Sequence, residues 1–200
     1  PGVTRVELDG VATALDASGE LDYGVVAARS AFTPTDGTLD GDGVSICIID
    51  TGIDPAHEQF TGGRVIAWKD WVNGRTDPYD DHGHGTHVAG IAAGDGVGTS
   101  AAVTAGGVAR AADLAIAKVL NSAGSGSDSD VAAAIEWCAG LGSDVISMSL
   151  GSPGGDGSDA GSQAVDAATA LGSVVVVAAG NSGDAPGTIS SPGVATTAVT

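Results

Sequence analysis

Lysine is almost absent from this chain: Lys69 and Lys118 stand with a few arginines against 25 acidic residues, and the formal net charge is −18. A surface of that sign repels phosphate backbones, so nucleic acid is excluded as a partner. Aspartates far outnumber glutamates. This balance fits a protein kept soluble at high salt, where self-repulsion is screened, as well as it fits an ordinary acidic secreted protein. Long apolar runs are missing too. None approaches the roughly 18 residues of a membrane span, and Val174 to Ala179 has only the length of a buried strand. No membrane partner is expected. The two cysteines are too few for a structural zinc site. Cys47 lies in an apolar run and Cys138 on the apolar side of a helical stretch, so both are expected to be inert core thiols, a disulfide between them being the alternative. The chain opens on Pro1 with no charged start and apolar stretch behind it, so a signal peptide is expected to have been removed or not sampled.

What is present is enough for one main core: 200 residues, 42% of them hydrophobic. Val44 to Ile49 is a near-continuous β-branched run, suited to a central parallel strand covered on both faces. Similar runs follow at 65–68, 114–119, 145–149, 174–178 and 195–199. Alanine-rich helical stretches are expected between most of them, at 84–93, 129–141 and 162–171, the second with Asp128, Ser129 and Asp130 as cap and first-turn acids. Alternating β and α segments imply an α/β fold, a doubly wound parallel sheet with helices on both faces. Upstream, Val3 to Leu8 alternates like an edge strand, and residues 16–43 read as surface with one helix-compatible piece at 23–32. Asp40-Gly41-Asp42-Gly43 lacks the later ligands of an EF-hand loop and is expected to be a solvated turn.

Doubly wound sheets carry their sites beyond the carboxyl ends of the strands. Three polar residues converge there: Asp50 ends the first strand, Asn181 follows the valine run, and His84 opens a helix with Gly83 and Gly85 beside it. The surrounding stretch is Asp80-Asp81-His82-Gly83-His84-Gly85-Thr86-His87-Val88-Ala89-Gly90. Clustered imidazoles suit zinc, but Thr86 stands where the His-x-His-x-Asp-His motif of metallo-β-lactamase-like hydrolases needs its aspartate. No histidine follows His87, and His57 lies upstream in a loop. No metal ligand set is therefore expected. His82 is expected to face solvent and His87 to pack within the helix. Asp50-Thr51-Gly52 alone is good turn chemistry, and its likeness to the aspartic proteases fails for want of a second such motif.

His84 to Gly90 resembles the histidine motif of the subtilisin-like serine proteases, Ile48 to Asp54 their aspartate motif, and Ala178 to Gly183 their oxyanion-hole asparagine segment, in the family's order from about Gly41 to Thr200. The resemblance implies a serine endopeptidase with Asp50 orienting the base His84 and Asn181 donating to the oxyanion. It also implies polypeptide substrates and secretion. Ser149, Leu150 and Gly151 with Ala178, Ala179 and Gly180 resemble the walls of the primary specificity pocket, and Gly124, Ser125 and Gly126 the edge that pairs with substrate backbone. No charge lies in these walls, which favours an uncharged, apolar P1 side chain. Residues 1–15 are either the remnant of an inhibitory pro-segment or an N-terminal strand of the domain at 16–200. No cofactor is needed for the chemistry. Structural calcium is common in the family, but Gln59 stands where many relatives carry a calcium-binding aspartate, and no ligands are assigned.

The family's serine is missing. Gly98-Thr99-Ser100-Ala101-Ala102 superficially matches its motif but precedes Asn181, whereas the family's serine comes well after that asparagine. The domain is therefore read as incomplete on its C-terminal side, and these 200 residues alone as inactive. The alternative is an inert protease-like module that clasps peptides or a pro-segment.

Overall fold

The computed structural model describes residues 24–31, 39–97 and 106–200. The expectations for residues 1–15 and for Ser100 lie outside that set. The described elements run α1 (Val25–Ala31), β1 (Ser45–Asp50), a 3-10 helix (Glu58–Gly63), β2 (Val65–Asp70), α2 (His84–Ala93), β3 (Asp113–Lys118), α3 (Asp128–Gly140), β4 (Val145–Met148), α4 (Ala160–Ala170) and β5 (Val174–Val177). The strands form one five-stranded sheet in the order β2-β3-β1-β4-β5, with parallel pairing throughout. The first described strand is thus the middle of the sheet. The connections wind outward from it on both sides, and its carboxyl end is the switch point at which such sheets bind ligands.

Alternation along β1 divides the core in two. Ile46 and Ile48 face α2 in a cluster with Ile53, Phe60, Ala89, Ala93, Leu114 and Ile116. Cys47 and Ile49 face the opposite layer, where Val131, Ala134 and Ile135 of α3 and Val165 and Ala168 of α4 close over Ala115, Ala117 and Ile146. Side-chain caps set where the two helices of that layer begin. Ser127 accepts from Asp130 N–H ahead of α3, and Asp159 accepts from Ser162 N–H ahead of α4. Both helices therefore start a little earlier than the alanine pattern indicates.

Three expectations are corrected. Cys47 and Cys138 are joined in a disulfide, with Cα atoms 5.9 Å apart. Cys138 belongs to the buried stripe Val131, Ala134, Ile135, Cys138 of α3, and that stripe lies on the sheet face to which Cys47 points. Which helix covers which face is a tertiary fact, and it brings the two sulfurs together. Residues 195–199, expected as a strand, form turns instead. Asp166 Oδ1 takes the N–H and hydroxyl of Thr197, Ala195 N–H bonds Pro192 O, and pairing with β5 is limited to the bridge Val176↔Val199. The segment around His57, expected as loop, contains the short 3-10 helix, with His57 Nδ1 accepting from Gln59 N–H at 3.2 Å.

Candidate active site

Asp50 closes β1 with no exposed surface. Its Oδ1 accepts the Thr51 N–H at 2.7 Å, and both of its oxygens face His84 Nδ1, at 2.8 and 2.9 Å. His84 is 42% exposed as a side chain while Asp50 is sealed beneath it. A ring that donates Nδ1–H to a carboxylate is held in one tautomer, with Nε2 left as the basic nitrogen.

A second acid, not singled out from the sequence, builds this geometry. α2 begins after Gly83, which sits at φ 96 and has no side chain with which to cap. Asp80 takes the N–H groups on both sides of that helix start. Its Oδ1 accepts from His82 N–H and Gly83 N–H at 3.0 and 2.8 Å. Its Oδ2 accepts from the N–H and hydroxyl of Thr86 at 2.9 and 2.6 Å. The Thr51 hydroxyl donates to Asp80 at 2.9 Å and accepts Gly85 N–H at 2.8 Å. The residue after Asp50 is thereby bonded to the residue after His84. Burial alone raises the Asp80 pKa, but the Thr86 hydroxyl and the N–H groups of Gly83, Thr86 and His82 outweigh it and hold the carboxyl far below the usual range.

His84 opens into a cleft of about 520 Å³. Of the residues expected around a substrate, Gly124, Ser125, Gly126, Ser149, Leu150, Gly151 and Asn181 line it. Ala178, Ala179 and Gly180 are not lining residues: Ser190 N–H bonds Ala179 O at 2.9 Å, and a Cβ on Gly180 would lie 2.4 Å from Ser190 Oγ. The same cleft holds two carboxyls that the wall segments did not reveal, Asp128 and Asp159. Asp128 accepts from Ser152 Oγ at 2.5 Å and Asp159 from Ser191 Oγ at 2.6 Å. Asp128 is the first residue of α3 and Asp159 the cap of α4, and both of these helix starts border the cleft.

His82 is exposed as expected, its ring edge-on to that of His84 with centroids 6.2 Å apart. His87, expected to pack, is exposed, because the buried stripe of α2 is Gly85, Ala89 and Ala93 and His87 lies off it. Among the described residues no group of three or more His, Cys, Asp or Glu side chains is arranged to hold a metal ion. Gln59 does not fit a cation either. Its Nε2 donates to Val97 O at 2.7 Å and its Oε1 accepts Gly96 N–H at 2.9 Å, so the described part of that loop is tied by an amide.

Residues 41–200 match the subtilase family, peptidase S8, and the chain belongs to that family. It is 43% identical over 177 residues to serine protease AprX of Bacillus subtilis, covering 82% of this chain and 38% of that protein. To thermitase of Thermoactinomyces vulgaris it is 43% identical over 145 residues, 72% of this chain and 50% of the relative. Among solved structures, sphericase superposes with a TM-score of 0.66 at 39% identity, covering 88% of this chain and 58% of that one. A cold-adapted subtilisin-like serine proteinase gives 0.62 at 38% identity, with 72% and 49% covered. The chain spans about half the length of the relatives it matches, or less.

Proposed function

We propose that this chain is the aspartate- and histidine-bearing part of a secreted serine endopeptidase. In this reading His84 is the general base, Asp50 its orienting carboxylate, and Asn181 a donor to the oxyanion of the tetrahedral intermediate. The observation that carries it is the contact of His84 Nδ1 with a wholly buried Asp50 at 2.8 Å, beneath an imidazole open to a cleft. That arrangement leaves Nε2 to take a proton from a hydroxyl nucleophile and return it to the leaving amine, while Asp50 stabilises the imidazolium formed in between.

No serine hydroxyl among the described residues is bonded to His84. The sheet supports a nucleophile arriving on another segment. Register places Val174 and Val176 on the face of Ile46 and Ile48, the α2 face, yet these valines are 52% and 38% exposed while Val175 and Val177 are buried. Apolar sheet surface of this kind is ordinarily covered, and a segment covering it stands beside His84. The 200 residues by themselves are accordingly expected to hydrolyse no peptide. Substrates are polypeptides, with an inhibitory pro-segment as a further partner, and the chemistry needs no metal.

The test is turnover of a chromogenic peptide by the protein at its natural length. Asp50→Asn and His84→Ala are expected to lower kcat by roughly 10⁴-fold or more, the size seen in triad enzymes such as subtilisin. His82→Ala is expected to change it little. Equal loss in His82→Ala together with inactivation by chelators would instead make the histidine cluster a metal site.

A further inference from the structure

Among the described residues, Lys118 is the largest side chain with no exposed surface. It ends β3, and register sets it beside Asp50 of β1 and Asp70 of β2. Its Nζ donates to Thr51 O at 2.5 Å, to Asp81 Oδ1 at 2.7 Å and to Leu120 O at 2.7 Å, and lies 4.9 Å from the centroid of the Tyr79 ring. An ammonium has three N–H donors, and these acceptors use all of them. Stability alone does not explain the residue. A complete buried ion pair can often be replaced by apolar side chains of similar volume at little loss, because desolvating the charges offsets most of what their attraction returns.

The identity of the acceptors gives the explanation. Thr51 follows Asp50, Asp81 precedes His84 by three residues, and Leu120 opens the segment that runs to Gly124–Gly126 along the cleft. Three separate stretches of chain meet at this cleft, and one ammonium holds all three. The lysine stem also packs under the aspartate loop, with a Cβ on Gly52 lying 3.4 Å from Lys118 Cδ. On the opposite side of the His84 backbone, the Thr51 hydroxyl links Gly85 N–H to Asp80. Side chains thus fasten the Asp50-bearing loop to the His84-bearing loop through a hydroxyl relay and a buried cation, beside the backbone bridge Gly52↔Asp80 and the bond from Asp54 N–H to Thr86 Oγ1.

We propose that Lys118 is a positioning residue for the Asp50–His84 pair: its ammonium fixes the spacing of the aspartate and histidine loops, and so the short hydrogen bond that orients the base. It touches no substrate and moves no proton. Only the kinetic arm of its test rests on the serine-hydrolase reading.

The experiment uses the protein at its natural length. The His84 Nδ1 proton is followed by its low-field proton resonance, assigned by its disappearance in Asp50→Asn. Lys118→Met leaves Asp81 and two backbone carbonyls without their donor and is expected to melt below the parent, and in the folded protein, well below that transition, to shift the resonance or broaden it into exchange. It is also expected to lower kcat by roughly 30-fold or more with KM changed less than about threefold, as misplacement of a catalytic group does. Asp81→Leu, which cuts one of the three bonds, is expected to show a partial version of both effects. Asp81→Asn keeps an amide oxygen for the ammonium and is expected to retain both signals. A folded Lys118→Met with the parent resonance and parent kcat overturns the proposal, as does a loss that follows only the unfolded fraction. If Lys118→Met does not fold, the Asp81 pair decides: Leu impaired and Asn intact supports it, and both like the parent overturns it. If the parent hydrolyses no peptide, the endopeptidase reading falls and the resonance still decides the role of Lys118.

Discussion

Gly85 is where the aspartate and histidine loops come closest, and a single methyl group there tests the geometry. A Cβ built on Gly85 would lie 2.2 Å from Gly52 O and 2.9 Å from Gly52 N. Both are backbone atoms, so no rotamer change relieves the contact. The loop and the start of α2 must separate by about 1 Å before the carbon–oxygen contact becomes ordinary. Two effects compete in Gly85→Ala. Alanine in place of a helical glycine favours the helix by up to about 1 kcal/mol, whereas forcing a methyl into a closed contact costs about 1–3 kcal/mol. The clash is against backbone, so the second wins, by roughly 1–2 kcal/mol, or about 2–8 °C in Tm for a domain of this size. The larger consequence is catalytic. Opening the loops lengthens the Thr51 hydroxyl bond to Gly85 N–H and the Asp50–His84 contact together, and a misplacement of about 1 Å reduces turnover by about 100-fold. Gly90→Ala is the control. It lies in the same helix with nothing within 4 Å of its Cβ, and is expected to raise Tm by about 2–4 °C with activity unchanged. Calorimetry and peptide turnover on the two variants measure this. A Gly85→Ala protein as stable and as active as Gly90→Ala would refute the reasoning.

Four further outcomes are expected. The Cys47–Cys138 bond spans 91 residues, a closure worth about 4–5 kcal/mol on a chain-entropy account, so Cys47→Ala/Cys138→Ala is expected to melt about 10 °C or more below the parent; a melt within 2 °C, roughly the span of 1 kcal/mol or less, would show that the bond contributes little. With a net charge of −18 and a Debye length that shrinks from about 30 Å at 0.01 M to about 3 Å at 1 M salt, Tm is expected to rise with KCl; once repulsion is screened at molar KCl, acid acts with the opposite sign. Hydrogen bonds hold the pKa values of Asp70, Asp80 and Asp159 down against the rise from burial, so the stability they contribute is present above the ordinary carboxylate range, near pH 4, and is lost as pH falls below it. A urea midpoint in molar KCl that is no lower at pH 3 than at pH 6, values that bracket the unfolded carboxylate pKa of about 3.9, would contradict this. Because Asp128 lines the cleft, Asp128→Asn is expected to lower kcat/KM for peptides carrying lysine or arginine by about two- to fivefold relative to neutral ones, the range of an exposed ion pair; equal effects on both would remove the carboxyl from substrate selection.

The strands were legible because β-branched runs such as Val44–Ile49 admit few other structures, and the site's pair was legible because Asp50 and His84 sit at element ends where topology gathers function. Other features depended on which surfaces meet. The Cys47–Cys138 bond follows from α3 covering one face of β1, and the exposure of His87 from the alignment of Gly85, Ala89 and Ala93. Residues 195–199 have strand composition, yet Asp166 captures Thr197 from another element. Asp80 looked like one more acid in a charged stretch, since its five hydrogen bonds reach groups that only the folded loop presents. Lys118 did leave a trace: a lysine inside the apolar run Leu114–Val119 contradicts a strand buried on both faces unless its ammonium has a specific task.

The central claim is that His84, oriented by Asp50, activates a serine hydroxyl. Labelling with a serine-directed fluorophosphonate, read by mass spectrometry on the protein at its natural length, tests it most directly. The expected result is one stoichiometric adduct on a serine that is neither Ser100 nor among the described residues, with labelling abolished in His84→Ala and no adduct on the 200-residue chain alone. Absence of an adduct on a folded natural-length protein, or an adduct at Ser100 that persists in His84→Ala, would contradict it.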